Sequence, residues 1–248
     1  MNPRHPYWLK KTLAVFAVFA LLAGACPASD VEDLAVDNTR FALKLYRELN
    51  DGSGNLFFSP YSISTAMAMT WGGARGETAS QMAGALEFTL KPDKEGGPLG
   101  RERLHAAFGE LQRSLAAAGG KGGVEMSIAN ALWPQKKYPF LKGYLKMIKA
   151  EYGSAGRPLD YRSPEEARGV INRWVEGETR QKIKDLLPEG SIDPLTRMVL
   201  TNAIYFKGNW ATQFKVKSTR ERPFRMASGK SAKTPMMFQK GNFGFFQD

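Results

Sequence analysis

The stretch Met198-Val199-Leu200-Thr201-Asn202-Ala203-Ile204-Tyr205-Phe206 is an almost continuous run of apolar side chains. Such a run is typical of a strand that is covered on both faces. Upstream, apolar residues recur at every second position over 124–132, where Asn130 is the polar exception on the inward face. That alternation predicts a second strand. Shorter strands are predicted around 215–217 and 234–238.

Helical spacing of apolar residues predicts a helix in each of six other segments. These segments are 34–49, 60–72, 78–86, 104–118, 140–150 and 164–175. Ser59 and Ser163 are N-cap residues followed by proline, with Glu166 as a capping glutamate. Thr78 and Gln81 have the spacing of a capping box. Since the chain shows no fixed repeat and no break in composition, we expect one α+β domain.

The chain offers few residues for catalysis or metal binding. Its 248 residues include one cysteine and two histidines. A single cysteine, Cys26, excludes an internal disulfide framework and a thiolate zinc site. His105 lies within the apolar pattern of the fourth predicted helix, so we expect an exposed or half-buried histidine and not a general base. The sequence therefore predicts a protein that is not an enzyme and has no catalytic residue, cofactor or metal site.

Residues 1–25 have the features of a signal peptide. Three basic residues precede an acid-free apolar run, Leu13–Leu22, which ends in small residues before Cys26. Cleavage before Cys26 leaves 26–248 as the mature domain, secreted or otherwise extracytoplasmic. The residues around this position also resemble a bacterial lipobox, so Cys26 is a candidate lipidation site. A lipid anchor is thus the alternative to free secretion, and an uncleaved membrane anchor is a third interpretation.

Four blocks of the chain, in the same order, resemble the serpin (serine protease inhibitor) family. The blocks are Asn55–Ile63 with Gly73–Gln81, Ile128–Leu132, Ile171–Ile183, and Thr201–Trp210 with the downstream Pro235–Met237. The resemblance is to the N-terminal part of a secreted bacterial serpin. It implies an α+β serpin fold, which has three β-sheets and eight or nine helices when complete. The chain stops inside a strand-like aromatic segment at Asp248, and we expect the serpin domain, 26–248, to be truncated before the reactive loop.

The resemblance implies a function that composition alone does not indicate. An inhibitory serpin is a suicide substrate: a serine protease, or in some cases a cysteine protease, attacks the reactive loop and forms an acyl-enzyme. The cleaved loop then inserts into the central sheet. A non-inhibitory serpin that serves in binding, storage or a chaperone-like role is the alternative. The hinge of the loop distinguishes the two, because small residues permit insertion and bulky or charged residues hinder it. Either form is expected to be a monomer when complete.

Five residues match positions with a role in the family. Ser59, Ser62 and Asn202 match the shutter, a buried polar cluster beneath the central sheet where strands separate to admit the loop. Trp210 matches the breach, where insertion begins. Trp174 belongs to the helix that crosses the face of the sheet. Each also has a purely structural interpretation, as N-cap, core aromatic or apolar anchor of a helix.

The chain is basic, with a formal net charge of +11. A lysine stripe on the fifth predicted helix gives a possible site for a polyanion such as a glycosaminoglycan or nucleic acid. The stripe comprises Lys142, Lys146 and Lys149, with Lys136 and Lys137 just upstream. Because no aromatic residues alternate with these lysines, a solvated helix face is the favoured interpretation, and no nucleic acid partner is expected.

Overall fold

Helices and strands follow the order that the sequence predicts: helices, one strand, more helices and then strands. The structure is a computed structural model, which describes residues 29–52, 54–89, 100–119, 123–154, 156–242 and 244. The helices are α1 Asp30–Leu49, α2 Pro60–Gly73, α3 Gly76–Ala85, α4 Arg101–Ala118, α5 Lys142–Tyr152 and α6 Pro164–Glu178. The strands are β1 Val124–Pro134, β2 Met198–Gly208, β3 Arg220–Arg225 and β4 Ser231–Met236. The predicted signal peptide and Cys26 lie outside the described residues.

Local caps fix where several helices begin. Ser59 caps α2, because its hydroxyl accepts a hydrogen bond from the Ser62 backbone N–H at 3.3 Å. The capping box predicted at Thr78 and Gln81 is wrong. Helix α3 already begins at Gly76, whose φ of +57° is a left-handed conformation that favours glycine. The Gln81 side chain instead donates to the Glu77 carboxylate at 2.9 Å.

Helix α6 begins where predicted but without the predicted cap. Pro164 is its first residue and Ser163 stands at the N-cap position. The Ser163 side chain makes no capping hydrogen bond. The Glu165 carboxylate accepts from the Arg168 guanidinium at 2.7 Å within the same helix. The helix therefore begins at its proline, with two acidic residues in its first turn and no side-chain cap.

Strands β1 and β2 form an antiparallel pair, from Val124 opposite Gly208 to Pro134 opposite Met198. Leu132 contributes to the core formed with α2 and α4. Trp133, on the other face of the sheet, contributes to a second core beneath α6. The central part of the sheet is thus covered on both faces, as the apolar run predicts, while the last residues of β2, 206–208, are exposed.

The second sheet of the described chain is a hairpin of β3 and β4. The strand predicted around 215–217 is wrong, because Val216–Ser218 forms a 3₁₀ turn and the strand begins only at Arg220. All residues of β3 are exposed, so the sequence has no apolar alternation that would locate it.

His105 differs from its prediction: it is buried, with 2% of its surface exposed. It lies where α2, α4 and α5 meet, and its ring contacts Trp71 of α2 and Tyr152 of α5. Within the described ranges, no helix combines the length and the apolar composition that crossing a membrane needs.

Candidate functional site

Two asparagines lie opposite each other in the middle of the β1–β2 pair. The Asn202 side-chain amide donates a hydrogen bond to the Asn130 side-chain oxygen, Oδ1, at 2.6 Å. The Asn130 amide in turn donates to Gln112 of α4 at 2.8 Å, and the Gln112 amide donates to the Tyr152 backbone carbonyl at 3.2 Å. One chain of hydrogen bonds therefore connects β2 through β1 to α4 and α5.

This chain of hydrogen bonds lies on the face of the sheet that packs against α2 and α4. Asn130 has the same parity along β1 as Leu132, so its side chain projects toward α2 and α4 and not toward α6. It is 7% exposed. A buried amide must be hydrogen-bonded, since an unpaired one costs about 1–3 kcal/mol. We call the hydrogen-bonded side chains of Asn202, Asn130 and Gln112 the polar seam. The side-chain oxygen of Asn202 is buried without a partner among the described residues, so the seam contains one unpaired acceptor.

The structure places Ser59 and Ser62 at the start of α2, both half-buried. Helix α2 packs against β2. Among the described residues, however, no hydrogen bond connects either serine to Asn202. Helix α2, which begins at the two serines, is therefore in contact with β2, which carries Asn202. Within the described chain, no hydrogen bond joins the three side chains.

Helix α2 also carries buried hydroxyl groups that the sequence reasoning did not identify. The hydroxyls of Tyr61, Ser64 and Thr65 are buried and have no hydrogen-bond partner within the part of the chain that the structure describes. Burial raises the pKa of Tyr61. The sequence signal that could have identified them is the occurrence of polar residues within an otherwise apolar helix. With the open oxygen of Asn202, they form a surplus of buried polar groups around α2 and β2.

Trp174 lies on α6 above the sheet. Its ring meets Trp133 of β1 edge to face, with centroids 5.5 Å apart. The Arg157 guanidinium lies 5.6 Å from the Trp174 ring and 5.8 Å from the Trp133 ring. The indole nitrogen of Trp174 is buried without a partner in the described chain. Aromatic and cation–π contacts thus hold α6 on the sheet at this point.

Trp210 lies two residues beyond the end of β2. It is 63% exposed, and its ring packs edge to face on Phe214 with centroids 5.4 Å apart. Its position continues the line of β2 without belonging to the strand pair. Trp210 takes no part in the chain of hydrogen bonds through Asn202, Asn130 and Gln112.

The two edges of the β1–β2 sheet differ. On the β1 side, the Leu132 and Pro134 carbonyls accept from the Arg157 and Leu159 backbone N–H groups, each at 2.9 Å. On the β2 side, no strand of the described chain pairs with the outer edge. Within the described residues, this edge is therefore the one at which a further strand could pair with β2.

Nowhere in the described ranges do three His, Cys, Asp or Glu side chains converge to ligate a metal ion. What the geometry provides is an open strand edge, a polar seam at its centre, and a helix packed over the sheet.

Comparison with known proteins places this geometry in a family. Residues 36–248 match the family model described as "Serpin (serine protease inhibitor)". The leukocyte elastase inhibitor of Equus caballus is 39% identical over 218 residues, which are 87% of this chain and 54% of that protein. Antithrombin-III of Mus musculus is 37% identical over 219 residues, 87% of this chain and 46% of that protein.

A solved structure agrees. Ovalbumin from the emu, Dromaius novaehollandiae, superposes with a TM-score of 0.75 at 31% identity, covering 86% of this chain and 56% of that one. The chain thus spans about half the length of the curated relatives it matches. Because the family model covers most of the chain and the solved fold agrees, this chain belongs to the serpin family.

Proposed function

We propose that the full-length protein inhibits a serine protease as a suicide substrate, by cleavage of a reactive loop and its insertion beside β2. Relatives that match this chain are named as an elastase inhibitor and an antithrombin. The observation that carries the proposal is the serpin family match over residues 36–248, in a fold in which α6 packs over a β1–β2 sheet whose β2 strand has eleven residues. The protein itself then needs no catalytic residue, because the protease supplies the chemistry and the loop supplies the bait.

The proposal assigns a role to each element around the open edge. A strand that enters beside β2 would lie beneath α6, so α6 and Trp174 would have to shift during insertion. The seam between β1 and β2 would have to adjust as well. Hydrogen bonds between amides are suited to such a seam, because an amide has both donors and an acceptor and can exchange partners without leaving any of them unpaired.

We assign Ser59, Ser62 and Asn202 to this shutter, with Asn130 and Gln112 as additional members. The open oxygen of Asn202 gives an incoming or neighbouring donor a place to bind. Trp210, at the end of β2, is assigned to the breach, where the loop would first enter.

Incubation of the full-length protein with leukocyte elastase is expected to give a covalent complex that survives denaturing electrophoresis. The acyl-enzyme is trapped when loop insertion is faster than hydrolysis, so the complex should appear at the summed mass of protease and serpin. Elastase with its active-site serine blocked is the control and should give no complex. Thrombin and a cysteine protease should be tested in parallel. Loop cleavage by all three without any complex would favour the non-inhibitory alternative.

We also propose that the protein is exported, with the signal peptide removed before Cys26. Mass spectrometry of the mature protein is expected to find its N-terminus at Cys26 or a few residues later. An added diacylglycerol mass would assign lipid anchoring, and an unmodified Cys26 would assign free secretion. A soluble cytoplasmic product that retains Met1 would contradict export.

A further inference from the structure

The connector between α6 and β2, residues 179–197, lies over the same face of the β1–β2 sheet as α6. Its apolar side chains Ile183, Leu187 and Ile192 pack into the core beneath α6. Burying these side chains stabilises the connector on the sheet. The connector and α6 therefore cover this face of the sheet together.

Two reciprocal hydrogen bonds join the connector to α6. The side-chain amide of the buried Asn172 donates to the Leu187 carbonyl at 3.0 Å, and its side-chain oxygen accepts from the Leu187 N–H at 2.9 Å. The Arg168 guanidinium donates to the same carbonyl at 3.1 Å. Because breaking these bonds would leave a buried amide unpaired, we expect α6 and the connector to move as one unit.

Helix α6 ends in a conformation that glycine normally supplies. The Gln181 N–H donates to the Glu176 carbonyl at 2.7 Å and the Arg180 N–H to the Gly177 carbonyl at 3.2 Å, which is the Schellman pattern of a helix C-terminus. Arg180 takes the left-handed position of this motif, with a φ of +50°, and Gln181 follows with a φ of +62°. Left-handed backbone is unfavourable for residues that have a Cβ, so the chain is strained at these two residues.

The Arg180 side chain contacts both strands of the sheet. Its guanidinium forms an ion pair with Glu125 of β1 and lies 4.9 Å from the ring centre of Tyr205 of β2. Glu125 also pairs at 3.4 Å with Lys207, which lies opposite it in β2. These sheet residues share the face of Trp133, so the contacts are on the side that α6 covers. We call the contacts of Arg180 with Glu125 and Tyr205 the latch.

The latch lies at the end of the sheet where the reactive loop would first enter. Lys207 precedes Trp210, which is assigned above to the breach, by three residues. Glu125 is the second residue of β1, whereas Trp133, which contacts Trp174 of α6, is the last but one. The sheet therefore holds α6 and its connector at two separated points, and the latch is the one near the breach.

We propose that Arg180 is a positioning residue for loop insertion: the latch holds the end of α6 on the sheet, and its release sets how fast the loop enters. The second part of this role rests on the inhibitory function proposed above. Backbone strain at Arg180 and Gln181 favours release, and the side-chain contacts of Arg180 oppose it. Glycine at position 180 would relieve the strain but would make no contact with Glu125.

Hydrogen exchange of the α6 amides in the full-length protein tests the latch without a protease. In Arg180→Gly, exchange in the last turn of α6 is expected to be about fivefold faster than in wild type, because an ion pair and a cation–π contact are lost. A purely local role in ending the helix predicts the opposite, since glycine stabilises this type of helix end. Added salt should speed exchange in wild type and not in Arg180→Gly, because salt screens the ion pair.

Gln181→Gly is the matched control, because it relieves strain at the next residue, which is exposed. Its α6 exchange should not be faster than that of wild type. Equal acceleration by Arg180→Gly and Gln181→Gly would assign the effect to the backbone and overturn the latch.

The rate of covalent complex formation at saturating protease tests the link to insertion. Arg180→Gly and Glu125→Gln are each expected to raise this rate about fivefold, and the double variant should add nothing further, because both substitutions remove the same contact. If the complex forms and Arg180→Gly reacts at the wild-type rate, the latch does not limit insertion and the inference is overturned. If wild type forms no complex with any protease, the proposed function fails, and the hydrogen exchange of Arg180→Gly against Gln181→Gly still decides the latch.

Discussion

Cleavage of the reactive loop in the full-length protein is expected to raise its unfolding midpoint by more than about 10 °C. A loop strand inserted beside β2 would complete a ladder of backbone hydrogen bonds along an edge of eleven residues. Each bond contributes about 1 kcal/mol net, and each kcal/mol moves the midpoint of a domain of this size by about 2–4 °C. Alternate side chains of the loop would also be buried beneath α6. Calorimetry before and after nicking measures the change.

A nick at another site is the control for this result. The turn between β3 and β4 is closed by a hydrogen bond from the Met226 N–H to the Lys230 carbonyl at 2.8 Å. A protease recognition sequence placed in this turn would be cut without supplying a strand to β2, so the midpoint should not rise. If the loop is cut, as located by mass spectrometry, and the midpoint still does not rise, the protein is not metastable and the non-inhibitory alternative is favoured.

The elements that sequence reasoning located are those whose signals are local. Helix α2 follows from Ser59, Pro60 and an apolar run, all of which act within a few residues of the chain. Strand β3 was missed because every one of its side chains is exposed, and an exposed strand carries no apolar alternation. The start of α3 was misplaced because Gly76 allows a left-handed entry that the capping pattern at Thr78 does not reveal.

The same limit applies to the site, because residues that join it only through tertiary contacts cannot be identified from local sequence patterns. Asn130 was recognisable as a polar residue among inward positions of a strand. Gln112 was not, because a polar residue on an amphipathic helix is normally at the surface, and it becomes part of the seam only once α4 lies against β1. The burial of His105 likewise depends on three helices meeting, which no pattern within α4 encodes.

Asn202→Ala is expected to make the full-length protein polymerise at temperatures at which the wild type stays monomeric. The substitution removes the donor to Asn130 at 2.6 Å and leaves a buried acceptor unpaired, at a cost of about 1–3 kcal/mol. A loosened β1–β2 pair would let the loop of a second molecule add beside β2 in place of the molecule's own loop. Native gels after mild heating should show a ladder of oligomers.

Asn209→Ala is the matched control for this prediction, because Asn209 is exposed just beyond β2 and contributes nothing to the polar seam. Ser62→Phe tests the helix end of the shutter independently, since a phenyl ring in the half-buried first turn of α2 would push the helix away from β2. It should therefore polymerise as Asn202→Ala does. If Asn202→Ala stays as monomeric as Asn209→Ala, the polar seam does not control strand separation, and Asn202 is not a shutter residue. If only Ser62→Phe polymerises, the contact between α2 and β2 controls strand separation, and the pairing of β1 with β2 does not.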